Sequence, residues 1–256
     1  MMGKTHAATG LLAGLLVAPA VGTDTPQTLV FAATTAGYAL LPDLDHPNAR
    51  ASRLLGPITG LLSRGLRAAS AALYQATKGP RDENGSGTHR HLSHTVLFAL
   101  ICGAATAGAA AITPWASLAV VVFGLLLAEN ALGDWVLPAA IGAAVWWLIG
   151  LADPMGELAT LGPLLGLAVA VGCITHCLGD ALTLSGCPFL FPLPIAGETW
   201  YEIRPPRWLR FRTGSAWETR LIFPATLVGC VAAIPGLLPL LLELTAHGAR
   251  LAGGHV

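Results

Sequence analysis

The stretch Leu164-Leu165-Gly166-Leu167-Ala168-Val169-Ala170-Val171-Gly172-Cys173-Ile174-Thr175-His176-Cys177-Leu178-Gly179-Asp180 is apolar and small until its end, where an imidazole and a carboxylate appear. A continuous apolar run lacks the alternation of a half-buried strand. Together with the residues from Leu158 it approaches the ~20 that a helix needs to cross a bilayer. The spacing of four stacks His176 and Asp180 on one helical face. Burying two ionisable groups at the end of an apolar segment is costly unless they meet a partner. Taken alone, H-x-x-x-D is weak. It also fits a helix end at which Asp180 reaches solvent and His176 bonds a backbone carbonyl.

Six other runs resemble this one: Ala7–Gly22, Gln27–Leu41, Thr95–Ile112, Trp115–Ala131, Trp135–Leu151 and Leu221–Leu244. Of the 256 residues 54% are hydrophobic and only 11% charged, about half the charged fraction a soluble domain carries. Mean hydropathy is +0.65. The expected fold is all-α: a polytopic membrane bundle of about five to seven apolar helices. The first two runs are the shortest and the least secure as crossings. A formal net charge of zero excludes an overall nucleic-acid-binding balance. The five cysteines form no C-x-x-C pair and no even framework; Cys102, Cys173 and Cys230 lie inside apolar runs.

If each run crosses once, segments 1–6, 42–94, 132–134 and 178–220 share one side and hold thirteen of the fourteen lysines and arginines, all but Arg250. That asymmetry makes this side cytoplasmic. Lys4 followed by an apolar stretch and Val17-Ala18-Pro19-Ala20 also matches a secretory signal. The charge asymmetry favours an uncleaved first helix that keeps His6.

The chain reads as one domain over 1–256 with cytoplasmic insertions at 50–90 and 183–218. In the first, Arg50, Arg53, Arg64 and Arg67 lie beside Leu54, Ile58, Leu61 and Leu62. That pattern suits a helix in the headgroup layer, or equally one packed over the bundle with solvated arginines. The second insertion is proline-rich and carries Trp200, Tyr201, Trp208 and Trp217; Arg207–Arg212 could form a strand of a small hairpin.

Six of the eight histidines mark ends of apolar runs on the cytoplasmic side. His6 precedes the first run. Asp43, Asp45 and His46 sit between Pro42 and Pro47, a bracketing that favours a fixed turn. His89, Arg90, His91 and His94 precede the third run, with Ser93 a candidate cap for the following helix. His176 and Asp180 complete the set. Such groups suit a divalent cation. Glu218 closes Ser215-Ala216-Trp217-Glu218, a match to a capping box, so capping competes with ligation there. His247 and His255 fall on the opposite side.

With its early His6, Leu41-Pro42-Asp43-Leu44-Asp45-His46-Pro47, His89-Arg90 with Ser93-His94-Thr95, His176 with Asp180, and Gly186-Cys187-Pro188, the chain resembles the YdjM family of inner-membrane-associated proteins, regarded as metal-dependent hydrolases. The family is similar, more distantly, to zinc-dependent phospholipase C and P1-type nucleases. The resemblance implies zinc, one ion or more, held by His6, Asp43, His89, His94, His176 and Asp180, with Asp45 and His46 next. In those distant relatives the N-terminal amine helps to bind metal; here Met1 precedes a cytoplasmic segment, which leaves the number of ions open. Asp45 is the candidate general base, and Arg90 or Lys4 the candidate partner of phosphate charge. The expected function is a hydrolase at the cytoplasmic membrane face, acting on a phosphoester or lipid-like small molecule among membrane lipids. No nucleic-acid partner is expected, and protein partners are not legible. The competing expectation is a non-catalytic, metal-stabilised scaffold or a metal-handling protein.

Overall fold

The computed structural model describes residues 1–237, 239–240 and 243–247. Helices α1 (Gly3–Ala20), α2 (Thr25–Tyr38), α3 (Pro57–Thr77), α4 (Val96–Ile112), α5 (Pro114–Leu132), α6 (Val136–Ile149), α7 (Pro154–Thr160), α8 (Gly162–Ala181) and α9 (Phe223–Ala233) make an all-α bundle. Among the described residues there are isolated β-bridges but no strand.

Local chemistry sets several helix starts. Asp24 and Gln27 form a reciprocal capping box on α2, while Thr95 and Thr113 cap α4 and α5 with side-chain oxygens. Thr95 thus takes the role expected of Ser93. Proline stands in the first turn of α2, α3, α5, α7, α8 and α9, where its missing N–H costs nothing.

Helices α1, α2 and α8 pack together, with α4 against α8 and α5 against α2. Glycine permits the closest crossing. A Cβ on Gly103 of α4 would stand 2.6 Å from the Gly166 carbonyl oxygen of α8, and one on Gly166 the same distance from that of Gly103. Such backbone contact is the small-residue packing that membrane helices rely on. It sets α4, preceded by His94, against α8, which carries His176.

Among the described residues α5 and α8 are each long and apolar enough to cross a membrane alone. The pair α6–α7 is a third candidate, bent by 111° at its break, and α4 is apolar but shorter. The run expected over Leu158–Cys177 is therefore split between α7 and α8. Helices α1 and α2 are largely internal: Ala7, Ala8, Ala18 and Phe31 are fully buried. The run expected over Leu221–Leu244 falls partly outside the described residues; a π turn over Glu218–Ile222 leads into α9.

Helix α3 is inverted relative to a soluble amphipathic helix. Thr59, Ser63, Ser70 and Tyr74 face inward, whereas Ile58 is 63%, Leu61 64% and Leu62 54% exposed. The second insertion folds over the C-terminal end of α3. Asp82 accepts backbone N–H groups from Gly79, Thr199 and Trp200, and the Trp200 indole N–H donates to Thr77 Oγ1 at 3.0 Å. Arg207–Leu209 is a single 3₁₀ turn and Phe211 makes an isolated bridge to Thr183, so the suggested hairpin strand does not form.

Candidate metal centre

Three atoms define the centre. His94 Nε2 lies 3.2 Å from His176 Nε2, and Asp180 Oδ2 lies 3.5 Å from the former and 3.7 Å from the latter. All three residues are at most 1% exposed. The point equidistant from three atoms so separated is about 2.0 Å from each, matching the ~2.0–2.2 Å that Zn²⁺ takes to histidine nitrogen and carboxylate oxygen.

A second group shares one of these residues. Ligand atoms of His6, Asp43 and His176 lie within 4.8 Å of one another, and His176 Nε2 is 3.9 Å from Asp43 Oδ1. The His6 and His176 rings stack with centroids 3.8 Å apart. His6 Nε2 stands 3.2 Å from Asp180 Oδ1, and Arg90 Nη2 stands 3.0 Å from Asp180 Oδ2. Both are close contacts without hydrogen-bond geometry. Both ring nitrogens of His6 and the Oδ2 atom of Asp180 are buried without a hydrogen-bond partner. Orphaned buried polar atoms are rare and costly. Three imidazoles and two carboxylates, in two groups that share His176, are a donor set that a divalent cation fits.

The surrounding residues fix the ligands' directions. The His176 Nδ1–H faces the Ala39 carbonyl at 2.8 Å, which aims Nε2 into the centre. The two readings of His176, a ligand or a ring bonded to a carbonyl, are thus met by its two nitrogens. Asp45 is fully buried and does not face the triangle. It accepts from the Arg90 backbone N–H at 2.9 Å, from Ser93 Oγ at 2.6 Å and from His89 Nδ1 at 2.5 Å, and lies 3.5 Å from His94 Nδ1. Burial alone would raise its pKa. The facing His94 and His89 outweigh that and hold the carboxyl well below the usual carboxylate range. Burial would likewise depress His94, but the Asp45 and Asp180 carboxylates push it up to about 10.

Arg90 adopts φ +58°, a left-handed conformation that costs a non-glycine residue energy. It brings the Arg90 N–H to Asp45 and the guanidinium to Asp180 within one residue. His89 and His46 stand aside from the triangle, edge to face with centroids 4.8 Å apart, and His46 Nδ1 accepts from Asn48 N–H. His91 donates Nδ1–H to the His89 carbonyl and packs on Tyr74 and Trp200.

Four contributors had no clear local signal. The Met1 amine reaches Asp180 Oδ1. Ser93 joins Asp45 to His94, with its Oγ 2.9 Å from His94 Nδ1. Cys187 Sγ lies 2.9 Å from the His94 carbonyl oxygen. Glu218 accepts from Met2 N–H at 2.6 Å and Gly214 N–H at 2.7 Å, while Ser215 Oγ has no partner. Glu218 therefore anchors the start of α1 instead of closing a capping box or facing the centre.

The model of the YdjM inner membrane protein family matches residues 1–241. The chain belongs to that family. Neither a curated protein nor a solved structure matches it. The YdjM match covers all of α1–α9 and every residue of the centre.

Proposed function

We propose that this YdjM-family protein is a metal-dependent hydrolase working at the cytoplasmic face of the membrane on a phosphoester-bearing or lipid-like substrate. The observation that carries the reading is the triangle of His94 Nε2, His176 Nε2 and Asp180 Oδ2; zinc held by three such protein ligands would keep a fourth position for reactants. When bound there, zinc supplies Lewis acidity and a nucleophile drawn from water at neutral pH.

The chain's own residues have separable tasks. His94, His176 and Asp180 would hold the ion, with His6 and Asp43 beside them for further coordination or a second ion. Asp45 orients His94 through Nδ1; with its oxygens engaged by Arg90, Ser93 and His89, it acts as a positioning carboxylate and not as a base. The Arg90 guanidinium, 23% exposed, holds Asp180 beside the ion's position. Helix α3, with its apolar face outward, Arg64 exposed and Arg53 exposed in the turn before it, lies in the headgroup layer.

The test is turnover by zinc-loaded protein on a panel of phosphodiesters, phospholipids and carboxyl esters, in parallel with His176→Ala. Metal-dependent turnover that disappears in the variant is expected. Stoichiometric metal with no turnover on any of the three classes would favour the scaffold instead.

A further inference from the structure

A cavity of about 410 Å³ opens beside the centre, lined by the start of α1 (Met2, Gly3, Lys4), by Leu40 and Asp43, by Ala49–Ala51, and by the end of α5 (Leu127, Asn130, Ala131). Its lining is divided by chemistry. Leu40, Ala51, Leu127 and Ala131 form an apolar wall. Lys4 and Arg50 bring two cations against the single carboxylate of Asp43. Arg50 is held at the cavity by donating Nη1–H to the Asn130 carbonyl at 3.1 Å, and Lys4 Nζ sits 4.8 Å above the Phe223 ring.

Asp43 connects this space to the chemistry. It lines the cavity, is 25% exposed, and belongs with His6 and His176 to the second ligand group. A molecule in the cavity therefore reaches that group directly.

We infer that this cavity is the substrate subsite and that it takes a phosphate-bearing amphiphile, its phosphate between Lys4 and Arg50 and its first methylenes along Leu40, Leu127 and Ala131. The inference rests on the hydrolase reading above and adds the substrate's class. Two cations on one carboxylate favour an anion, and a bound divalent ion would strengthen that preference. A bare phosphate would leave the apolar wall unused; a neutral lipid would leave two cations without a counter-charge. The approach is in keeping with an amphiphile, because Ala49–Ala51 leads through the turn Ala51–Arg53 into α3, whose outward face is apolar.

The experiment is calorimetric titration of zinc-loaded protein in nanodiscs with dihexanoyl phosphatidate, dihexanoylglycerol and inorganic phosphate, for wild type, Arg50→Gln, Lys4→Gln and Ala131→Trp. Zinc content is read first. Phosphatidate is expected to bind more tightly than either partial ligand. Each cation variant should weaken it roughly tenfold or more, the loss of one charged hydrogen bond. Ala131→Trp, which fills the cavity, should weaken phosphatidate more than inorganic phosphate, and zinc content should stay at the wild-type level in all three. Equal affinity for phosphatidate and inorganic phosphate would overturn the amphiphile, and equal affinity for dihexanoylglycerol would overturn the phosphate. Unchanged phosphatidate binding in the variants would overturn the location. Zinc-free wild type would sink the hydrolase reading separately. Phosphatidate binding that still falls in Arg50→Gln would then uphold the cavity, and no binding would overturn it.

Discussion

Asp45→Asn isolates the role assigned to the buried carboxylate. The amide can keep its oxygen toward the Arg90 N–H and Ser93 Oγ, now 2.9 and 2.6 Å away, only by turning its NH₂ toward His89. The full negative charge 3.5 Å from His94 Nδ1 is then gone. Losing a charged hydrogen-bond partner in a buried site costs about 1–3 kcal/mol of stability. Losing the outer carboxylate of a metal-bound histidine typically costs about 10–100-fold in metal affinity, or about 1.4–2.7 kcal/mol. One effect opposes this: without Asp45, a proton also competes less well for His94. A doubly charged ion feels the missing carboxylate more than a proton does, so weaker metal binding wins. The assay is competition for zinc against a chromophoric chelator at pH 7, with melting of the metal-free protein alongside. Wild-type zinc affinity in a variant that is measurably less stable would refute the orienting role.

The other predictions concern protonation, packing and membrane placement. In the metal-free protein His94 is raised from 6.5 to about 10. Its stabilising contribution is therefore fully present below about pH 6.5 and lost as pH rises through about 10; melting temperature of metal-free protein should fall across that window. Zinc must displace the same proton, so apparent affinity should rise with pH below 10 by about tenfold per unit for each proton released, as chelator competition at several pH values would read. Gly103→Val would drive a side chain into the Gly166 carbonyl, 2.6 Å from the nearest Cβ position, costing about 1–3 kcal/mol and lowering metal content by parting His94 from His176. A spin label at position 62 of α3 should be relaxed by lipid-soluble oxygen, and one at Gln75 should not; equal response to a water-soluble nickel chelate at both sites would place α3 in solvent.

Helix existence was largely legible because apolar runs are required whether a helix faces lipid or a buried neighbour. For the same reason crossings were not legible: Ala7 and Phe31 are apolar to pack inside the protein, and only the structure separates that from facing lipid. The break between α7 and α8 at Leu161 was hidden inside the run from Leu158, whereas the 111° bend between α6 and α7 falls at the end of the run that stops at Leu151; its angle had no signal in the sequence. At the centre, His94, His176 and Asp180 were readable as ionisable groups at apolar ends, where burial demands a partner. The division between ligand and support was not. Asp43 and Asp45 differ by two residues, yet the 3₁₀ turn at Pro42–Asp45 sends one to His176 and the other to His94 Nδ1. Ser93 and Glu218 looked like helix caps because their sequence neighbourhoods fit caps. Their partners, Asp45 and Met2, lie 48 and 216 residues away.

The central claim is that these side chains hold a metal ion, and the most direct test is elemental analysis. Wild type, His94→Ala and His176→Ala would be purified without added metal, each checked for folding by its melting transition. The account predicts at least one zinc or similar divalent ion per wild-type chain and a large loss in both variants. Folded wild type that carries no metal and takes none up when it is offered would contradict it.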